Sequence, residues 1–147
     1  MIDFKHFTGN ELLEKDAKTL EKMNNVACSY DFLDEENVLK YLDHESQIIC
    51  MYKDDDLMGF SWVVLCESAK VAELCWFVTH KNKIKGLEGK FLLDKTLEFC
   101  KQHNIAEVKF NCAPQSWGRI KNKKQLLKKF GYKLTEYEMD YDISIDI

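Results

Sequence analysis

The residues of this 147-residue chain best suited to chemistry lie between Val71 and Gly89. An apolar, aromatic-rich run from Val71 to Val78 suits a buried strand, and Glu73 is its only carboxylate. A short polar, basic loop follows from Thr79 to Lys85, carrying His80, Lys81, Lys83, Ile84 and Lys85. Gly86, Leu87, Glu88 and Gly89 come next, then a periodic segment from Lys90 through Phe99 and Cys100 that reads as a helix. Strand, glycine-containing basic loop and helix start make a ready anion site. The loop and first-turn N–H groups are unpaired, the helix dipole adds partial positive charge, and Lys81, Lys83, Lys85 and Lys90 add full charges. The fitting guest is a phosphate or pyrophosphate. Loops of this kind also occur in dinucleotide and nucleotide folds, so the elements around the loop have to decide.

Those elements can be read in order. Ile2 to Phe7 alternates as a first strand, ended by Gly9-Asn10. Leu12, Leu13, Leu20 and Met23 give one helix over 11–23, closed by Asn24-Asn25. Asp34 is a fitting N-cap for a second short helix with Val38, Leu39 and Leu42 as its apolar stripe. Gln47–Tyr52 and Leu57–Cys66 are strands joined into a hairpin by Lys53-Asp54-Asp55-Asp56. After the helix that ends near His103, Ala106–Cys112 is another strand. A loop with the only proline, Pro114, leads to a basic helix over 122–130 with Leu126, Leu127 and Phe130 inward and Gly131 as its stop. Tyr132–Ile145 is the last strand. The order is β-α-α-β-β-β-α-β-α-β, an α+β chain forming a single domain over 1–147, without repeats or linkers.

Composition narrows the class. Hydrophobic residues at 46% and charged residues at 31% describe an ordinary soluble globular protein. No apolar run approaches the ~20 residues needed to span a bilayer, and Met1-Ile2-Asp3-Phe4-Lys5 is no signal peptide, so a cytoplasmic protein without membrane contact is expected. Cys28, Cys50, Cys66, Cys75, Cys100 and Cys112 show no C-x-x-C pair and no zinc spacing, and read as free, mostly buried thiols. The net charge of −4 hides an asymmetry. Met1–Phe60 carries six Lys against fourteen acids, whereas His80–Lys133 carries fourteen bases against four acids. The positive segment holds the phosphate loop, which suits a polyanionic small ligand; solvated helix faces would account for many of the same lysines. A pI near 5.6 does not favour nucleic-acid binding.

The loop and the order together resemble one family, the GNAT-superfamily N-acetyltransferases, over nearly the whole chain. In that family a strand ends in Val, Gln or Arg follows five residues later, and x-x-Gly-x-Gly/Ala leads into a helix. Here Val78 is followed by Lys83 and Gly86, with Glu88 where the second small residue would stand and Gly89 one place late. Phe130-Gly131-Tyr132 is similar to the Gly-Phe element between the last helix and last strand. The resemblance implies a three-layer α+β fold, with a mixed, mostly antiparallel sheet of about six strands and helices on both faces. It implies acetyl-CoA as cofactor, held by Phe77, Val78, Lys83, Ile84, Lys85, Gly86, Leu87, Glu88, Gly89 and Lys90, with Asn111 and Asn122 facing the same cleft or serving as caps and turns. It also implies that two strands splay apart after Val78, so that the pantetheine arm takes a strand's place.

Moving an acetyl group from a thioester to an amine requires a base for the amine, a donor for the oxyanion and a proton for the departing thiolate. The resemblance assigns the first to Glu73, directly or through water; a strand-start acid reaching solvent is the other reading. The second falls to a backbone N–H near Phe77-Val78. The third usually falls to a Tyr four residues before the glycine, and there this chain has Leu127. Tyr132, Ser116, Cys112 and His80 are the substitutes; His80 is otherwise an exposed loop residue. Trp62 and Trp76 read as core, and Trp117 as packing or an acceptor pocket. Glu88 among pyrophosphate-binding amides would repel the ligand unless it points away or pairs with Lys85 or Lys90. Two functions follow. One is an N-acetyltransferase for a primary amine of a small molecule or protein, a cationic acceptor suiting the acidic N-terminal half, acting as monomer or homodimer. The other is a catalytically silent GNAT-like binding or structural module. An unrelated α+β fold with a nucleotide site is a third.

Overall fold

The computed structural model describes residues 1–27, 42, 45–80, 88–111, 124–135 and 142–147. The helix expected from Asp34, the basic loop after His80 and the proline loop lie outside them. In order the chain forms β1 (Ile2–Thr8), α1 (Gly9–Lys15), α2 (Ala17–Ala27), β2 (Gln47–Lys53), β3 (Asp56–Cys66), a 3-10 turn (Glu67–Ala69), β4 (Val71–Thr79), α3 (Glu88–Gln102), β5 (Glu107–Asn111), β6 (Lys133–Thr135) and β7 (Asp142–Asp146). Residues 124–129 are also helical. The sheet has the order β1-β2-β3-β4-β5-β7-β6. β1–β2, β2–β3, β5–β7 and β6–β7 are antiparallel, and β4–β5 is parallel with α3 as the crossover. This is the mixed sheet expected, with seven strands among the described residues in place of about six.

The strand count differs because the predicted last strand is two. The alternation through Tyr132 and Leu134 changes phase before Tyr137 and Met139, and the chain folds back, so that Leu134 pairs with Ile145 and Lys133 with Asp146. The predicted helix over 11–23 is also two. Thr8 caps α1 in a capping box with Glu11, whose N–H donates to Thr8 Oγ1 at 3.1 Å. Asp16 then leaves helical geometry at φ −138° and accepts from Thr19 N at 3.0 Å and Thr19 Oγ1 at 2.8 Å, restarting the chain as α2. Asn24 and Asn25 do not end α2, which runs on to Ala27. The β2–β3 hairpin turns on Asp54 and Asp55, both at positive φ (50° and 69°), the type I′ pattern that suits strand twist.

By internal packing the chain divides into two units, Met1–Val64 with Trp76–Thr96, and Leu65–Cys75 with Leu97–Ile147. In the first, alternate residues of β2 and β3 (Ile48, Cys50, Tyr52, Phe60 and Trp62) join Leu12, Met23, Val26, Ala27 and Leu42 in a buried cluster, which puts α1 and α2 on one sheet face. On the other face the buried Ser61 and Thr96 hydroxyls meet at 2.7 Å, which holds the first part of α3 against β3. In the second unit Lys70 O accepts from Ala106 N at 2.8 Å and Glu107 N at 3.3 Å, tying the starts of β4 and β5 together. Ser144 donates to Glu107 across β5–β7. The stop at Gly131 is as expected. Gly131 takes φ +93°, and its N–H and that of Tyr132 bond back to Lys128 O and Leu127 O in a Schellman pattern. Leu127 is buried as expected, but Leu126 is 49% exposed rather than inward.

The cysteines divide. Cys50 and Cys100 are fully buried, and burial pushes both thiols up to about 12. Cys66 and Cys75 are exposed, against the expectation of buried thiols. Among the described residues no group of His, Cys, Asp or Glu is arranged to hold a metal ion, and no helix is long and apolar enough to cross a membrane.

Candidate functional site

β4 was expected to be buried and is buried on one side only. Ala72, Leu74 and Val78 point into the protein, Trp76 is half-buried, and Glu73, Cys75 and Phe77 are exposed, Phe77 at 38%. Period-2 alternation on a strand next to open solvent explains the difference; the apolar content alone had hidden it. The Glu73 carboxylate is exposed and has no hydrogen-bond or ion-pair partner among the described residues; the Glu73 carbonyl accepts from Cys75 Sγ at 3.9 Å. Its Cα pairs with Lys109 in the parallel β4–β5 register, which is described for Val71, Ala72 and Glu73 only. β4 itself continues to Thr79.

The end of β4 is held in the first unit by a close approach that the sequence analysis passed over. A Cβ placed on Gly59 of β3 would lie 2.8 Å from the Val78 carbonyl oxygen and 3.2 Å from Thr79 Cα. Only glycine lets the two backbones come this near. One step further His80 N donates to Met58 O at 2.7 Å, so the His80 amide is spent on holding the strand while its half-buried side chain stays beside the strand end. Across from Thr79 lies the first turn of α3, where a Cβ on Gly89 would sit 3.9 Å from Thr79 Cγ2. Strand end and helix start are therefore neighbours in the first unit. The signal for Gly59 was legible, since an isolated glycine inside an apolar strand pattern marks a bulge or a close approach.

Glu88 opens α3, and its side chain is only 12% exposed. Of the lysines named for it, Lys85 lies outside the described residues, and Glu88 finds a further one. Its Oε2 lies 3.4 Å from Nζ of Lys53, the last residue of β2. Lys90 spends part of its charge inside the helix, with Nζ 2.7 Å from Asp94 Oδ2 one turn on. No local pattern could have shown that Lys53 answers Glu88, because 35 positions of sequence separate them. In the second unit Tyr132 is half-buried just before β6. Leu127, where the resemblance would have a tyrosine, is 8% exposed and packed. Lys83, Ile84, Lys85, Gly86, Leu87, Ser116, Cys112, Trp117 and Asn122 lie outside the described residues, as do the side chain of Asn111 and the basic loop's path.

No family model and no curated protein matches the sequence. Solved structures do. Gcn5 of Tetrahymena is 17% identical with a TM-score of 0.72, covering 99% of this chain and 96% of that one. An acetyltransferase of the GNAT family from Staphylococcus aureus is 14% identical with a TM-score of 0.67, over 99% of both chains. The PaiA N-acetyltransferase of Thermoplasma acidophilum, solved in complex with coenzyme A, is 15% identical with a TM-score of 0.60, over 99% of this chain and 97% of that one. The fold is the GNAT fold. Within it this sequence is far diverged, so the likeness speaks for backbone and topology, and the chemistry has to be argued from the side chains.

Proposed function

We propose that this protein is an acetyl-CoA-dependent N-acetyltransferase for a primary amine. The observation that carries the proposal is Glu73: a solvent-facing carboxylate with no partner among the described residues, on β4 of a GNAT fold, on a strand whose far end is packed against the start of α3. An ion-paired or buried acid there would speak for structure; an unengaged one is available as a base.

The parts fit the cofactor. Beyond Glu73 the backbone of β4 offers hydrogen bonds to an extended amide-bearing arm, and the start of α3 offers N–H groups to a diphosphate. Bound acetyl-CoA supplies the acyl thioester. Glu73 takes the proton from the attacking amine, directly or through one water, as the nitrogen bonds to the acyl carbon. A backbone N–H at Phe77 or Val78 holds the carbonyl oxygen as it gains negative charge. When the carbon–sulfur bond breaks, the thiolate takes a proton from Tyr132, from His80 or from water. Leu127 has none to give. The acidic N-terminal half favours a cationic acceptor, whether a small molecule or a protein amine.

The buried Leu127 also favours a second reading, a catalytically silent binding or structural module that kept the fold. Titration of the protein with acetyl-CoA and CoA, followed by a turnover screen over polyamines, aminoglycosides and lysine peptides with Glu73→Gln as control, separates the two. Binding with turnover that Glu73→Gln abolishes supports the enzyme. Binding without turnover on any amine supports the silent module. No binding at millimolar ligand overturns the enzyme and leaves a structural module.

A further inference from the structure

Among the described residues β1 and β6 are the two edges of the sheet. β6 is three residues long, but β1 runs for seven, with an unbroken register on β2 and no proline. A long, regular edge exposes a row of backbone groups able to pair with another strand. Which groups these are follows from one bond. Gly9 N donates to Ser46 O at 2.7 Å, and Gly9 stands opposite Ser46 when the β1–β2 register is continued by one residue. Antiparallel pairs alternate between bonded and non-bonded. Phe7, Lys5 and Asp3 therefore turn their N–H and C=O groups toward β2, and Ile2, Phe4 and His6 turn theirs outward. The side chains add a charge pattern. Asp3 and Lys5 are exposed, share one face of the strand and have no ion-pair partner among the described residues; Lys5 Nζ rests over the Tyr52 ring, 5.0 Å from its centroid. Phe4, between them, is half-buried on the other face, with Lys95 Nζ 5.7 Å from its ring centroid.

We infer that β1 is a self-pairing edge: two copies of this chain associate through antiparallel β1 strands about a two-fold axis at Phe4. Only registers in which residues with outward backbone groups face one another can form bonds. An axis at Asp3 or at Lys5 sets that residue against its own copy, like charge on like charge. An axis at His6 or beyond draws on the backbone of Thr8, whose N–H is already directed at Glu11 Oε1 (3.4 Å). An axis at Ile2 leaves most of the strand unpaired. With the axis at Phe4, Phe4 exchanges both backbone bonds with Phe4 of the other copy, and Ile2 lies opposite His6. Asp3 then faces Lys5 of the other copy, and Lys5 its Asp3, in non-bonded pairs, where side chains approach most closely. The contact is one strand wide and smaller than a stable dimer needs, so the association is weak and depends on concentration. It involves the first packing unit alone and stands independently of the acetyl-CoA reading.

The test is sedimentation velocity on the untagged full chain over about a hundredfold range of concentration reaching the millimolar, with the melting temperature of each variant measured in dilute solution as a check on folding. Wild type is expected to shift toward dimer as concentration rises. Asp3→Lys and Lys5→Asp each set like charges opposite one another at both symmetric positions, and each is expected to weaken association about tenfold or more. Both substitutions in one chain exchange the two charges and are expected to restore association to within about threefold of wild type. A mixture of the two single variants is expected to form a heterodimer at concentrations where neither variant associates alone. If wild type stays monomeric throughout, or associates no better than the single variants, the inference is overturned. It is equally overturned if the doubly substituted chain keeps its melting temperature and fails to associate, or if the mixture of single variants stays monomeric, because Asp3 then does not face Lys5.

Discussion

Glu73→Gln keeps the size and hydrogen-bonding reach of the side chain and removes its basicity. Acetyl transfer is therefore expected to fall about 100-fold or more in kcat while the Kd for CoA stays unchanged, as read by CoA release against a saturating amine and by calorimetry. A strand-start acid of no catalytic use would leave both alone. Gly59 is a backbone requirement rather than a chemical one. Alanine there would press its methyl onto the Val78 carbonyl oxygen, 2.8 Å from the ideal Cβ, and neither partner is a flexible side-chain tip. Gly59→Ala is expected to cost about 1–3 kcal/mol in urea unfolding and to weaken acetyl-CoA binding, because the segment it displaces carries the proposed oxyanion donor. Gly89→Ala, facing an ordinary van der Waals distance of 3.9 Å to Thr79, should do much less.

Helix and turn chemistry sets where the elements begin and end. Thr8 and Glu11 satisfy each other's backbone at the start of α1, so Thr8→Ala is expected to lower stability by about 1 kcal/mol, measured by chemical denaturation. The β2–β3 turn shows the opposite margin. Asp55 sits at φ 69°, where a side chain is strained, and it is one of three adjacent carboxylates. Asp55→Gly relieves both and should raise stability by about 0.5–1 kcal/mol in the same assay. β4 carries the functional argument among the elements: one row of its side chains builds core and the other row meets solvent, so its packing and its chemistry can be changed separately.

Over the whole chain the buried thiols tie stability to pH. Cys50 lies in one packing unit and Cys100 in the other, and each has its pKa raised by burial from 9.0 to about 12. The folded state holds these protons more tightly than the unfolded state. Stability from this source is therefore fully present below pH 9 and is lost as pH climbs from 9 toward 12, at about 1.4 kcal/mol per pH unit for each thiol. Tyr52, whose phenol burial also pushes up, acts in the same direction. Denaturation midpoints measured from pH 8 to 11 should fall accordingly, and Cys50→Ala should flatten the slope. At pH 8 a thiol reagent should modify Cys66 and Cys75 in the native protein and reach Cys50 and Cys100 only on unfolding, with peptide mapping to place the label.

Most strands and the helix that follows β4 were legible in the chain, because hydrophobic period and turn residues are written within windows of ten to twenty residues. Local windows also misled where two short elements share one period, as at Asp16 and between β6 and β7, and they could not say which face of β4 is open. That Lys53 answers Glu88, that Gly59 admits the Val78 carbonyl, and that Cys75 is exposed while Cys50 and Cys100 are buried were decided only by the tertiary structure. Each depends on which residues from distant parts of the chain are brought within a few ångströms, and no local propensity encodes that distance.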